Sequence, residues 1–332
     1  MDDRERQLAW EGAGRSRVAV SAIVAGALLL AGAVYGTLVV LAGLPTVGVI
    51  QGLSPALHGQ AAAAVDPHTA RLAFIDHHAL GLILAAVLVA VGTAGMIPIL
   101  RYLYSGTSFR LRQAADGEAE AAAAAAEAGR EPARSAWPRG VPRLPTAALY
   151  LAVGGAGVSA ACLLGAQIVD VIKAHDFISH ADRSHQAVDQ ATNSSPHLVL
   201  TTLAFASQLA LAFAFVMIPL NAQRAGLLTR FMGVLGIVSG ALIVILPPLQ
   251  VLQAFWLVAL GTLLSGRTKS PLPPAWTSGE AEPWPSQQEL RERRNPERAA
   301  APAAVVAAAP PPVPRAPRTP SPNASKKRKK RR

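Results

Sequence analysis

A single cysteine, Cys162, serves the whole chain of 332 residues, and it lies inside an apolar run. No intramolecular disulfide can form, and no zinc, haem or iron–sulfur motif built on paired cysteines is available. Charge and aromatic residues are scarce too: 15% of residues are Asp, Glu, Lys or Arg and 5% are aromatic, against 51% hydrophobic. The apolar fraction is mostly Ala, Leu and Val, which is the composition of a membrane protein. No HExxH motif occurs, and no pair of histidines has the spacing of a haem-sandwiching bundle.

Six stretches reach the roughly 20 apolar residues needed to cross a hydrocarbon core as helix. They are about 18–42, 78–100, 146–169, 198–220, 227–246 and 249–265. Pro247 and Pro248 separate the last two, and two missing N–H donors make a tight helical hairpin there. None of the six carries an ionisable side chain at mid-depth. Arg101, Asp170 and Arg230 fall at span ends, where long side chains reach the interface. The commonest sign of a proton relay or ion-coupled transport is therefore lacking.

The sequence predicts an all-α fold, a polytopic transmembrane bundle of six spans over 18–266. A cytoplasmic N-terminus (1–17) precedes it, and a disordered Pro/Ala-rich basic tail (267–332) follows. The first span is too long for the h-region of a signal peptide and reads as an uncleaved anchor. The connection 104–144, with its run GEAEAAAAAAEAGREPAR, has almost no large apolar residue to bury and reads as a solvated, partly helical linker.

Orientation follows from the cations. Residues 1–17 hold four Lys or Arg, 101–143 seven, 222–230 two and 267–332 fifteen, whereas 43–77 and 170–197 share only Arg71, Lys173 and Arg183. Every second connection is basic, so both termini are expected in the cytoplasm and the bundle in the plasma membrane.

The other face collects histidine. All eight, His58, His68, His77, His78, His175, His180, His185 and His197, lie in or beside the two poorly basic loops. The densest stretch is KAHDFISHADRSH at 173–185, and IDHHA at 75–79 opens the second span on the same side. Imidazole and carboxylate are ligands for zinc, copper or non-haem iron. Asp76, His77, His78, His175, Asp176, His180, Asp182 and His185 are thus candidate metal ligands, provided that IDHHA folds against the other stretch. The same imidazoles suit a pH sensor, since histidine changes charge near neutral pH. The simpler reading is a solvated loop, kept polar without Lys or Arg by the positive-inside bias. On that reading no cofactor is bound and a divalent metal is the alternative.

Two further features bear on partners. Lys326, Lys327, Arg328, Lys329, Lys330, Arg331 and Arg332 end the chain as seven consecutive cations. Beside a bilayer they point to anionic lipid headgroups, with a ribosome or a membrane-protein partner as alternatives; from 285 onward the tail has no aromatic residue to stack bases. Glycines spaced by four, such as Gly32 with Gly36 and Gly236 with Gly240, let helices approach closely. Packing within the bundle is the first reading of that pattern, and oligomerisation the second. In the fourth span His197, Thr201 and Gln208 share one helical face.

The segment 221–286 contains NAQRAGLLTRFMGVLGIVSGALIVI, VLQAFWLVALGTLLSGR and PPAWTSGEAEPWPS. It resembles an actinobacterial family of six-helix membrane proteins to which no activity is assigned. The resemblance implies an integral plasma-membrane protein and carries over no catalytic residue. Trp276 and Trp284 belong to this segment, either as indoles at the inner headgroup level or as parts of a Pro-rich linker. A non-enzymatic scaffold or accessory protein with a basic tail is the first functional reading. A metal- or pH-responsive sensor or transporter is the second, and a membrane enzyme has only the polar face of the fourth span in its favour.

Overall fold

A computed structural model describes residues 3–41, 67–130, 144–180, 184–245, 250–267, 272–282 and 284. All regular structure among them is helical. We number the helices α1 (Asp3–Leu41), α2 (Pro67–His77), α3 (Ala79–Ala94), α4 (Met96–Glu127), α5 (Ala147–Ser179), α6 (His185–Thr192), α7 (Ser195–Arg224), α8 (Arg230–Ile245), α9 (Gln250–Leu264) and α10 (Ala275–Ser278).

Four helical runs are long and apolar enough to cross a membrane: α1, α3 continuing into α4, α5, and α7. Helices α8 and α9 are shorter, at 16 and 15 residues. At about 1.5 Å per residue they reach roughly 24 and 22 Å, short of the roughly 30 Å hydrocarbon core. Outward faces of the long helices are apolar, with Val20, Leu38, Leu80, Ile172, Val199 and Phe213 among the exposed side chains. A continuous apolar exterior of this kind marks a surface that water does not cover.

Helix boundaries follow local chemistry. Ser184 caps α6 by accepting from the Ala187 N–H, and a proline at the start of α7 suits its first turn. Pro98 lacks the N–H that would reach Ala94, which accounts for the break between α3 and α4 at Gly95. Pro219 neither ends nor divides α7, which runs on to Arg224. The turn that does end α7 is a Schellman motif. Leu227 N–H donates to Ala222 O and Gly226 N–H to Gln223 O, with Gly226 at φ +77°.

Small residues set the helix spacing. A Cβ on Gly26 would stand 2.7 Å from Ala254 O, and one on Gly261 2.7 Å from Ala19 O, so α1 and α9 touch backbone to backbone. Gly32 and Gly92 do the same for α1 and α3, and Gly155 for α5 against α7, the most extensive helix pair. Gly236 and Gly240 receive Pro219 and Phe215 of α7. The four-residue glycine spacing thus serves packing inside this chain, the first of its two readings.

Two expectations change. The linker expected at 104–144 begins as the continuation of α4, with Tyr104, Thr107, Arg110 and Leu111 buried; only from Arg112 does it turn to solvent. The tail expected from 267 has an ordered start. Residues 272–282 and Trp284 fold back as a strap in which Ala275 and Trp276 are buried. Residues 285–332, with the seven terminal cations, lie outside the described residues.

Candidate functional site

Polar groups gather at the two ends of the bundle. At the histidine-bearing end, α2 lies along the extension of α5 through Leu72, Ile75, Ala174 and Phe177, with Val188 of α6 in the same cluster. That apolar contact brings IDHHA against KAHDF: His175 Nδ1 is 2.9 Å from Asp76 Oδ1. His180 Nδ1–H donates to Asp176 O at 2.7 Å, with the Asp176 carboxylate 3.4 Å away. In His197, which opens α7, Nδ1 stands 2.5 Å from Asp170 Oδ1 of α5. His78 turns back on its own helix, donating from Nδ1 to Phe74 O at 3.0 Å and stacking on the Phe74 ring.

The predicted ligands are thus brought together in pairs. Among the described residues no three His, Cys, Asp or Glu side chains converge as a metal would need. His77 is exposed, Asp182 lies outside the described residues, and so does the His185 side chain. Lys173 lines the same cleft as Asp176 and His180, so a cation there would meet an ammonium group. The pairing of His197 with Asp170 went unread in the sequence. Its signal was present, since both residues sit at the same-side ends of neighbouring antiparallel spans.

The opposite end holds a charged group in the interior. Arg110 of α4 is fully buried and Glu11 of α1 is 3% exposed. Arg110 Nη1 and Nη2 donate to Glu11 Oε1 and Oε2 at 2.6 and 2.7 Å. The remaining donors reach Ala275 O from Nε and Nη2, at 3.1 and 2.8 Å, and Gly106 O from Nη1 at 3.1 Å. All five guanidinium N–H groups are engaged, the condition for offsetting the desolvation cost of burying such a cation. Gln7 also donates to Glu11 Oε1 at 2.8 Å, and the Tyr102 hydroxyl to Glu11 O at 2.8 Å.

Trp276 closes this junction. Its ring lies 5.5 Å from the Arg110 guanidinium carbon and stacks on Tyr102 at 5.6 Å, while its N–H donates to Leu227 O at 2.8 Å. Trp284 N–H donates to Leu228 O, and Glu282 N–H to Ala225 O. Arg4 pairs with Glu280 at 2.6 Å. Trp276 is therefore packed inside the protein, its indole N–H spent on a backbone carbonyl. Sequence reasoning missed this group because Glu11 and Arg110 each read as ordinary loop charge.

Between the ends, Thr93, Ser159, Gln208, Gln250 and Gln253 line a cavity of about 20 Å³. That is room for about one water. Gln208 of the predicted polar face reaches this cavity, whereas Thr201 donates to the carbonyls of His197 and Leu198 on its own helix. Compared with known proteins, the chain matches no family model, no curated protein and no solved structure.

Proposed function

We propose that the protein is a plasma-membrane scaffold of six spans with both termini in the cytoplasm, whose basic C-terminal segment engages anionic lipid headgroups. The junction of Glu11, Arg110 and the strap carries this reading. It ties the chain after the last apolar helix to the ends of α1, α4 and α7, so that the segment leading to the tail starts from a fixed point. In this reading α8 and α9 are the fifth and sixth spans, a hairpin whose short length is met by local bilayer thinning. The alternating cation counts support the orientation, and the resemblance over 221–286 supports the membrane.

Trypsin tests the tail in full-length protein reconstituted into vesicles. Attraction of about 1 kcal/mol per basic residue near an anionic surface should shield 326–332 from cleavage in phosphatidylglycerol vesicles. The shielding should vanish near 1 M salt, where the screening length is about 3 Å. Equal cleavage rates in anionic and zwitterionic vesicles at low salt would sink the lipid role.

The three His–Asp pairs favour a second reading, a proton-responsive exterior cap with metal binding as its variant. Changing His175, His180, His185 and His197 together to Ala tests it. A purified protein with no bound metal by elemental analysis, and no pH response that this variant removes, eliminates the second reading.

A further inference from the structure

A groove of about 440 Å³ opens between α1 and the start of α4, beside the Glu11–Arg110 junction. Val18 and Pro98 give it apolar walls, Trp10 and Tyr102 stand at one side with ring centroids 5.5 Å apart, and Arg17 and Arg101 flank it. Both arginines are exposed, and neither has a hydrogen bond or ion pair among the described residues. No acidic side chain lines the groove, and Glu11, next to Trp10 in the chain, is already held by Arg110.

The heights agree. Arg17 immediately precedes the first predicted span and Arg101 immediately follows the second, so the two guanidinium groups sit where hydrocarbon gives way to headgroups. Trp and Tyr are the residues favoured at that level. Apolar walls beside two arginines match one chemistry, an acyl chain joined to a phosphate.

We propose that this groove binds one anionic phospholipid, with its phosphate between Arg17 and Arg101 and its upper acyl chain along Val18 and Pro98. Basic pockets between membrane helices on the cytoplasmic side are known to take such headgroups, and a planar guanidinium suits phosphate. The site rests on the membrane reading above but is separate from the basic tail. The lipid would occupy a seam between α1 and α4 next to the buried charge pair, at a fixed stoichiometry that a run of seven cations does not impose.

Native mass spectrometry of the purified protein in detergent tests this, with and without residues 326–332. The tail-truncated protein should bind a single phosphatidylglycerol at least 10-fold more tightly than phosphatidylcholine. R17Q/R101Q should reduce the preference to the phosphatidylcholine level, and R6Q, at an exposed arginine outside the groove, should leave it intact. Gly14→Leu keeps every charge and projects a side chain into the groove beside the Tyr102 ring, 3.4 Å from its Cβ position. It should cause the same loss, and serves if the double variant does not fold. The proposal is overturned if tail truncation alone abolishes the preference, if neither groove variant changes it, or if millimolar inorganic phosphate displaces the lipid.

Discussion

Arg110 and Glu11 stand 99 residues apart in the chain and meet through two parallel charge-assisted hydrogen bonds with almost no access to solvent. Removing one partner leaves the other as an uncompensated buried charge. Glu11→Ala or Arg110→Ala should therefore each cost about 3–5 kcal/mol. The apolar pair Glu11→Leu with Arg110→Met should cost less than either single change, because no orphan ion remains. Thermal unfolding of the four proteins in one detergent checks this, and a double variant less stable than both singles would contradict it.

Trp276→Ala removes a stacked ring, a cation–π contact and the donor to Leu227 O together. A loss of about 3–5 kcal/mol is expected, in line with large aromatic truncations in cores. Local release of the strap should come first, seen as faster proteolysis at Arg267 than in the parent protein. Trp276→Phe keeps the ring but not the N–H, and should lie between the two.

Neighbouring glycines in α5 make a paired control. A Cβ on Gly155 would fall 2.6 Å from Leu211 N, whereas one on Gly154 meets nothing within 4 Å. Gly155→Ala must push α5 from α7 and should cost about 1–3 kcal/mol. Gly154→Ala should be neutral or stabilising by about 0.5–1 kcal/mol, from helix propensity alone. Equal effects would mean that α5 and α7 are not in backbone contact.

At the strap, Gly226→Ala faces two obstacles, a positive φ and Glu282 O directly against the new Cβ. Destabilisation should exceed the roughly 1–2 kcal/mol of the left-handed backbone alone. Hydrogen exchange at the Glu282 amide, which donates to Ala225 O, should rise with it.

Sidedness is checked with a cysteine placed at Ser179 in a Cys162→Ser background. Ser179 is exposed at the end of α5. A membrane-impermeant maleimide should label it from outside intact cells and label a cysteine at Glu118 only after lysis. The reverse pattern would invert the topology.

The long apolar helices were legible because a 20-residue run of Ala, Leu and Val states its own need for a non-aqueous surrounding. The strap was not. PPAWTSGEAEPW has the local composition of a linker, and its order comes from Arg110, 165 residues away, donating to Ala275 O. Arg110 itself counted among the seven cations of a loop, since nothing near it in sequence reveals a carboxylate at position 11. The histidine-bearing end was partly legible. IDHHA and KAHDF do meet, through Asp76 and His175, but α2 and α5 present one pair there where a ligand set was envisaged.

Helix α4 runs unbroken for 32 residues from Met96 to Glu127, joining a stretch packed in the bundle to one that stands in solvent. At about 1.5 Å per residue that is a rod of roughly 48 Å with a break in the helix at its base, Gly95. Much of 96–111 is buried in the core or held by the Glu11–Arg110 pair, so the base of the rod moves only with the bundle. The polyalanine half therefore leaves the bundle along a direction that the buried charge pair fixes.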